Sequence, residues 1–223
     1  MLMPEEEILR VRGDIRGTYA KLSKIYATLE GRFEKKLRER GLELLNVQEG
    51  EAVLEIGFGT GYSLVEIARA VGKTGRARGI DLTPEMVELA RTRLEKAGLA
   101  ERVELYEGDA REMPYQDNQF DGVYMAAALE LFDTPDIPRV LAEIKRVLKS
   151  TGRLGITSMT KEGHQGSIVL RLYEWAHRTF PRYASCRPIY VEESVIGAGF
   201  KIDRAEEMML GGVFPMKIVV AKP

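Results

Sequence analysis

Apolar positions divide the chain into two regimes. Early on they recur at helical spacing: Ile15, Tyr19, Leu22, Ile25, Tyr26 and Leu29 share a face, and Gly31 splits this stretch into two helices. From Glu51 short apolar runs alternate with amphipathic ones. "EAVLEIG" predicts a buried strand, "YSLVEIARAVG" a helix stopped by Gly72, and "GRARGIDL" a second strand. "TPEMVELARTRLEKAG" carries an N-cap threonine, a first-turn proline and a closing glycine, which predicts a helix. "RVELYEGD" and "FDGVYMA" predict strands three and four, "DIPRVLAEIKRVLKS" a helix and "GRLGITSM" a fifth strand. Then "GHQGSIVLRLYEWAHRTFPRY" predicts an inserted helix and "VEESVIGAGF" another. "KIDRAEEMM" and "FPMKIVVAKP" predict a hairpin turning at Gly211 and Gly212.

Strand–helix alternation with apolar strands means a doubly wound α/β fold, its mostly parallel sheet covered on both faces. The expected organisation is a helical N-terminal cap at 1–45 and a sheet domain at 46–223, in which 159–190 forms a helical insertion over the active site. Ligands of such sheets sit beyond the carboxyl ends of the strands. The residues just after each strand therefore carry the chemistry.

Composition narrows the classes. The chain has 223 residues, 33 basic and 34 acidic, for a formal net charge of −1, so no polyanion-binding coat and no nucleic-acid partner are expected. The basic cluster "RFEKKLRER" is interleaved with acids and reads as the wet face of a helix. A single cysteine, Cys186, permits no disulfide within the chain and fits a reducing compartment. The start, "MLMPEEEILRVRGD", lacks the bases and apolar core of a leader, and the longest apolar stretch, "VYMAAALELF", is short and contains Glu130. A cytoplasmic protein without a transmembrane segment is expected. Peripheral membrane contact through the N-terminal helix, and the oligomeric state, stay open.

The chemistry begins at "VLEIGFGTG". Gly57, Gly59 and Gly61 stand between a strand and a helix, where a bare backbone turns sharply and admits a ligand closely. The third glycine comes one position too early for G-x-G-x-x-G, Tyr62 taking the expected place, and the lysine of a phosphate-binding P-loop is absent. Asp81 ends strand two, where an acid can accept both hydroxyls of a ribose. Asp109, with the Ala110 backbone, ends strand three within reach of an adenine edge. Either acid alone can also be a cap or turn residue. A nucleoside held at a glycine turn without a phosphate lysine points to S-adenosylmethionine, whose positive sulfonium suits Glu55 beside the turn. Phe58 and Tyr62 offer ring faces to a cation or simply pack.

"VLEIGFGTG", "GIDLTPEMVELAR", "EGDAREMPYQDNQFDGVYM" and "EIKRVLKSTGRL" resemble the successive motifs of class I S-adenosylmethionine-dependent methyltransferases. The similarity is closest to the branch holding the ubiquinone/menaquinone-biosynthesis methyltransferases and the bacterial phosphatidylethanolamine N-methyltransferases. It implies a Rossmann-like, seven-stranded sheet whose last strand is antiparallel. It also implies that Glu55, Gly57, Gly59, Thr60 and Gly61 surround the methionine part of the cofactor. Asp81 would hold the ribose between Leu82 and Met86, Asp109 and Ala110 the adenine, and Ala126 would line the sulfonium region. Two departures stand out: Ser150-Thr151 replaces the usual Pro-Gly before strand five, and the segment after strand four, "AAALELFDTPD", is mostly apolar.

Methyl transfer from a sulfonium is an in-line displacement, so the protein mainly aligns the partners and excludes water. A base is needed only if the acceptor must lose a proton. Candidates for contact with the acceptor are His164, in the loop after strand five, Glu130, after strand four, and Tyr19, with Tyr26, on the cap. His177, inside an apolar helical pattern, reads as structural, Cys186 as a turn or buried cysteine, and Arg187 as an anion ligand or a cap. No metal-ligand spacing occurs. Ile168, Leu170, Leu172, Tyr173, Trp175, Phe180 and Tyr183 make the insertion apolar and aromatic. A small-molecule or lipid-like acceptor is expected, such as a quinone-like ring or a lipid head group. The alternatives are a cofactor-binding, non-catalytic subunit and a nucleotide-dependent oxidoreductase.

Overall fold

The computed structural model describes residues 35–179 and 186–223. Tyr19, Tyr26, Phe180, Tyr183 and most of the expected cap lie outside these residues. The elements in chain order are α1 (Lys35–Leu45), β1 (Ala52–Ile56), α2 (Tyr62–Ala70), β2 (Arg76–Asp81), α3 (Pro84–Lys96), β3 (Val103–Glu107) and β4 (Phe120–Ala126). They continue with α4 (Ile137–Val147), β5 (Leu148–Met159), α5 (Ile168–Thr179), α6 (Val191–Gly197), β6 (Lys201–Leu210) and β7 (Phe214–Lys222).

One seven-stranded sheet has the order β3-β2-β1-β4-β5-β7-β6. The first five strands are parallel, and β7 runs antiparallel to both β5 and β6. Winding reverses between β1 and β4, which places a crevice at their carboxyl ends. β1 lies at the centre, paired on both sides and covered on both faces, and its apolar run is buried almost throughout. On one face α4 and α6 bury Ile137, Val140, Leu141, Ile144, Val191 and Val195 against the strands. The other face is covered by α2 and α3 together with Leu45 of α1. Leu37 and Leu44 of α1 meet Leu170 of α5 and Met216, Ile218 and Val220 of β7 in a third cluster. The β6–β7 hairpin turns at Gly211 and Gly212, both at positive φ (61° and 72°), as its strand twist requires.

Two local expectations change. β5 begins at Leu148 rather than at Gly152, because Leu148 pairs with Phe120 before the ladder shifts register and resumes at Gly122–Arg153. Thr83 occupies the N-cap of α3 but makes no capping bond; its hydroxyl is engaged by Asp81 instead. No helix of the described residues is long and apolar enough to cross a membrane.

Candidate active site

The loop after β1 passes through three residues at positive φ: Gly57 (66°), Gly59 (51°) and Gly61 (81°). Two of them also have no room for a side chain. A Cβ on Gly57 would lie 2.7 Å from the Ala128 Cβ, and one on Gly61 would lie 2.9 Å from the Ala90 Cβ. The loop is thus wedged between the end of β4 and α3. The Gly57 N–H donates to the Ile80 carbonyl (2.8 Å), which joins the loop to the end of β2.

Asp81 fixes the loop from the other side. Its Oδ2 accepts the Gly59 N–H and its Oδ1 the Thr83 N–H, each at 2.9 Å. The side chain is only 8% exposed. Burial pushes its pKa up, and the hydrogen bonds from Thr83 and Gly59 offset part of the rise. A carboxylate has about four acceptor positions, so each oxygen keeps capacity for a hydroxyl in the cleft.

That cleft has a volume of about 330 Å³ at the carboxyl ends of β1 to β4. Gly57, Gly59, Asp81, Leu82, Met86, Asp109, Ala110 and Ala126 all line it. Leu82 stands 45% exposed at its edge, a flat apolar surface that a stacked ring would cover. Asp109 does not wait alone for a ligand. Arg111 donates to both of its oxygens and, through the other end of the guanidinium, to Asp136 (2.6 Å). Burial raises the Asp109 carboxyl, and the Arg111 hydrogen bonds outweigh it, leaving the pKa lowered. Ala127 closes β4 at φ 50°, unusual for a residue with a Cβ, and its N–H donates to the Thr157 carbonyl (2.8 Å). Past Ala126 the lining continues through Ala128, beside Gly57, to Leu131, Phe132 and Cys186.

A smaller hollow of about 50 Å³ adjoins it through Gly57, Gly59, Ala126 and Ala127. Glu55, Thr60, Tyr62 and Ser63 line it, with Arg38 of α1. Glu55 is 2% exposed, and its Oε2 is buried without a hydrogen bond. Burial pushes its pKa to about 8 despite the Ser63 hydrogen bond and the Arg38 charge. The Arg38 Nε is likewise buried without a hydrogen bond. Arg38 was assigned to the wet face of its helix from sequence; its stem instead turns inward, with the guanidinium 4.9 Å from the Tyr62 ring centre. Arg93 stacks on Tyr62 at 3.3 Å and donates to the Thr60 carbonyl (2.6 Å), tying α3 to the loop.

Several candidates lie elsewhere. Gly61 lines neither hollow; its place is the tight contact with Ala90. Glu130 faces away from the cleft, fully buried, accepting from Ser158 Oγ (2.7 Å) and the Met159 N–H. The turn Leu129–Leu131 rotates it inward, and burial raises its pKa. His164 meets Glu207 of β6 at 2.8 Å and lines neither hollow. His177 is fully buried in α5. Arg187 is buried and donates to the Phe132 carbonyl (2.8 Å), bracing that part of the lining. Among the described residues no cluster of His, Cys, Asp and Glu could hold a metal.

Residues 53–152 match a family described as "Methyltransferase domain". The demethylmenaquinone methyltransferase of Bacillus pumilus is 32% identical over 150 residues, 67% of this chain and 63% of that protein. A S-adenosylmethionine-dependent methyltransferase from Aquifex aeolicus superposes with a TM-score of 0.67 at 26% identity, covering 89% of this chain and 97% of that one. Residues 53–152 thus carry a methyltransferase-domain signature, and the chain is similar in sequence and fold to S-adenosylmethionine-dependent methyltransferases. It spans less than two thirds of the length of the curated relatives it matches. The [4+2]-cyclase SpnF superposes with a TM-score of 0.75 at 20% identity, covering 93% of this chain and 94% of that one, and shares the fold alone. The domain match and the likeness to the Aquifex aeolicus methyltransferase give S-adenosylmethionine as the cofactor.

Proposed function

We propose that the protein transfers a methyl group from S-adenosylmethionine to an apolar, quinone-like acceptor. The observation that carries the cofactor assignment is the pair of buried, incompletely bonded groups in the small hollow, the Arg38 guanidinium and the Glu55 carboxyl. Arg38 and Glu55, each with one polar atom unmatched, suit a zwitterionic amino-acid group, the Glu55 carboxyl holding its proton until an ammonium displaces it. Arg38 would take the carboxylate and Glu55 the ammonium. The cleft next door suits the nucleoside. Asp81 would accept the ribose hydroxyls, Leu82 and Met86 would flank the ring system, and Asp109 with Ala110 would meet the adenine edge. Gly57, Gly59, Thr60 and Ala126 would line the junction where the two hollows meet.

S-adenosylmethionine supplies an electrophilic methyl on a neutral leaving group. The chain's own task is to align the acceptor on the far side of that junction and keep water out. Leu131 and Phe132 give that side an apolar lining, and Arg187 holds the Phe132 carbonyl. Among the described residues neither His164 nor Glu130 reaches the cleft, and Asp133 is a carboxylate of its lining to which a proton lost by the acceptor would pass on its way to solvent. The apolar lining and the demethylmenaquinone methyltransferase likeness both favour a quinone-like ring. Incubation with methyl-labelled S-adenosylmethionine and whole bacterial extract, separated afterwards into lipid and aqueous fractions, tests this. Label in a quinone-like ring is expected. Label confined to polar amino acids or RNA would overturn it.

A further inference from the structure

Helix α5 carries apolar side chains on the wrong side for a buried helix. Its inward face packs Leu170 and His177, while Ile168 (73% exposed), Leu172 (60%) and Trp175 (56%) line up one turn apart on the outward face. The charged residues on that outward arc, Arg171 and Arg178, are both cations. The helix's acid, Glu174, lies on the inward side and faces Lys161 at 3.7 Å. The β6–β7 hairpin tip adjoins through the Tyr173–Phe214 ring contact (5.2 Å) and exposes Met209 and Val213. From the inward side, the Tyr173 hydroxyl lies 3.0 Å from Sγ of Cys186, which lines the cleft.

We propose, resting on the apolar-acceptor reading above, that the outward face of α5 docks the protein on an anionic lipid surface. Its composition is that of an interfacial helix: large apolar groups and a tryptophan in the centre, cations at the flank and no acid. The two cations supply the charge complementarity that selects anionic over neutral lipid. Docking there would leave roughly the thickness of one helix, about 10 Å, between the bilayer in which an apolar acceptor dissolves and the Cys186 wall of the cleft.

Trp175 is the chain's single tryptophan, so its emission reports the contact directly. The full chain is titrated with vesicles of phosphatidylglycerol and phosphatidylcholine in equal parts, and with phosphatidylcholine alone. A blue shift and co-sedimentation with the anionic vesicles are expected, with much weaker binding to the neutral ones. Arg171→Gln with Arg178→Gln should weaken the anionic partitioning roughly thirtyfold, about fivefold for each cation near such a surface. Ile168→Ser with Leu172→Ser should abolish the shift, and both doubles should keep the far-UV spectrum. An emission unmoved by vesicles would overturn the proposal. So would an emission already blue-shifted without them, or one that shifts only as mass doubles, which would mark another part of the chain or a second copy on the face. Methyl transfer to a soluble short-chain quinol is assayed in parallel. Activity on it without vesicle binding removes the docking surface and leaves the methyl-transfer reading. Vesicle binding without any methyl transfer does the reverse.

Discussion

Glu55 gives the sharpest quantitative test. Its carboxyl titrates near 8 in the folded chain instead of near 4.5 because it is buried. Between those values the folded state holds a proton that the unfolded chain has released. The stability contribution is therefore fully present below about pH 4.5 and is lost as pH rises to about 8. At 1.36 kcal/mol for each tenfold change in proton affinity, the full loss is on the order of 5 kcal/mol. Glu55→Gln keeps the shape and the Ser63 contact but cannot ionise. Urea unfolding across that pH range, without cofactor, should show the wild type losing stability relative to Glu55→Gln by several kcal/mol. The cofactor's ammonium favours the ionised form. Affinity for S-adenosylmethionine should rise up to tenfold per pH unit until about pH 8, with proton release on binding. Glu55→Gln should bind more weakly and without that slope. Parallel pH profiles for the two proteins, in both stability and affinity, would refute the reasoning.

Four further variants have outcomes set by the geometry. Arg38→Gln should weaken S-adenosylhomocysteine about tenfold to a hundredfold, the range of a hydrogen bond to a charged group. It should leave methylthioadenosine, which has no amino-acid end, unchanged in calorimetry. Asp81→Asn should lower affinity for both ligands at least tenfold, while the melting temperature moves only a few degrees, since one oxygen remains to accept a loop N–H. Gly61→Ala meets Ala90 at a positive φ and should cost over about 2 kcal/mol in denaturant unfolding. Gly98→Ala, at φ 68° with open space around it, should cost only about 1 kcal/mol.

The sheet was legible because its central strands are covered on both faces and so read as continuous apolar runs. The tips of β1, β2 and β3 follow directly from that, and with them Gly57, Asp81 and Ala110. Arg38 was hidden because its inward turn depends on how α1 crosses the sheet, with Gly41 near the Tyr124 hydroxyl and Thr157. Only the gap in the apolar stripe between Leu37 and Gly41 hinted at it. Glu130 and His164 misled for the same reason. A residue two to five positions past a strand end is placed by a turn, and the turns here rotate one into the core and the other toward β6. Asp109 was found at its strand tip, but its partner Arg111 bridges to Asp136, twenty-five residues on, a contact that only the fold brings together.

Calorimetric titration of the wild-type chain with S-adenosylhomocysteine, beside the Asp81→Asn and Arg38→Gln variants, tests the cofactor site most directly. Saturable one-site binding, weakened in both variants, is predicted. No heat for the wild type, or equal affinity in all three, would contradict the assignment.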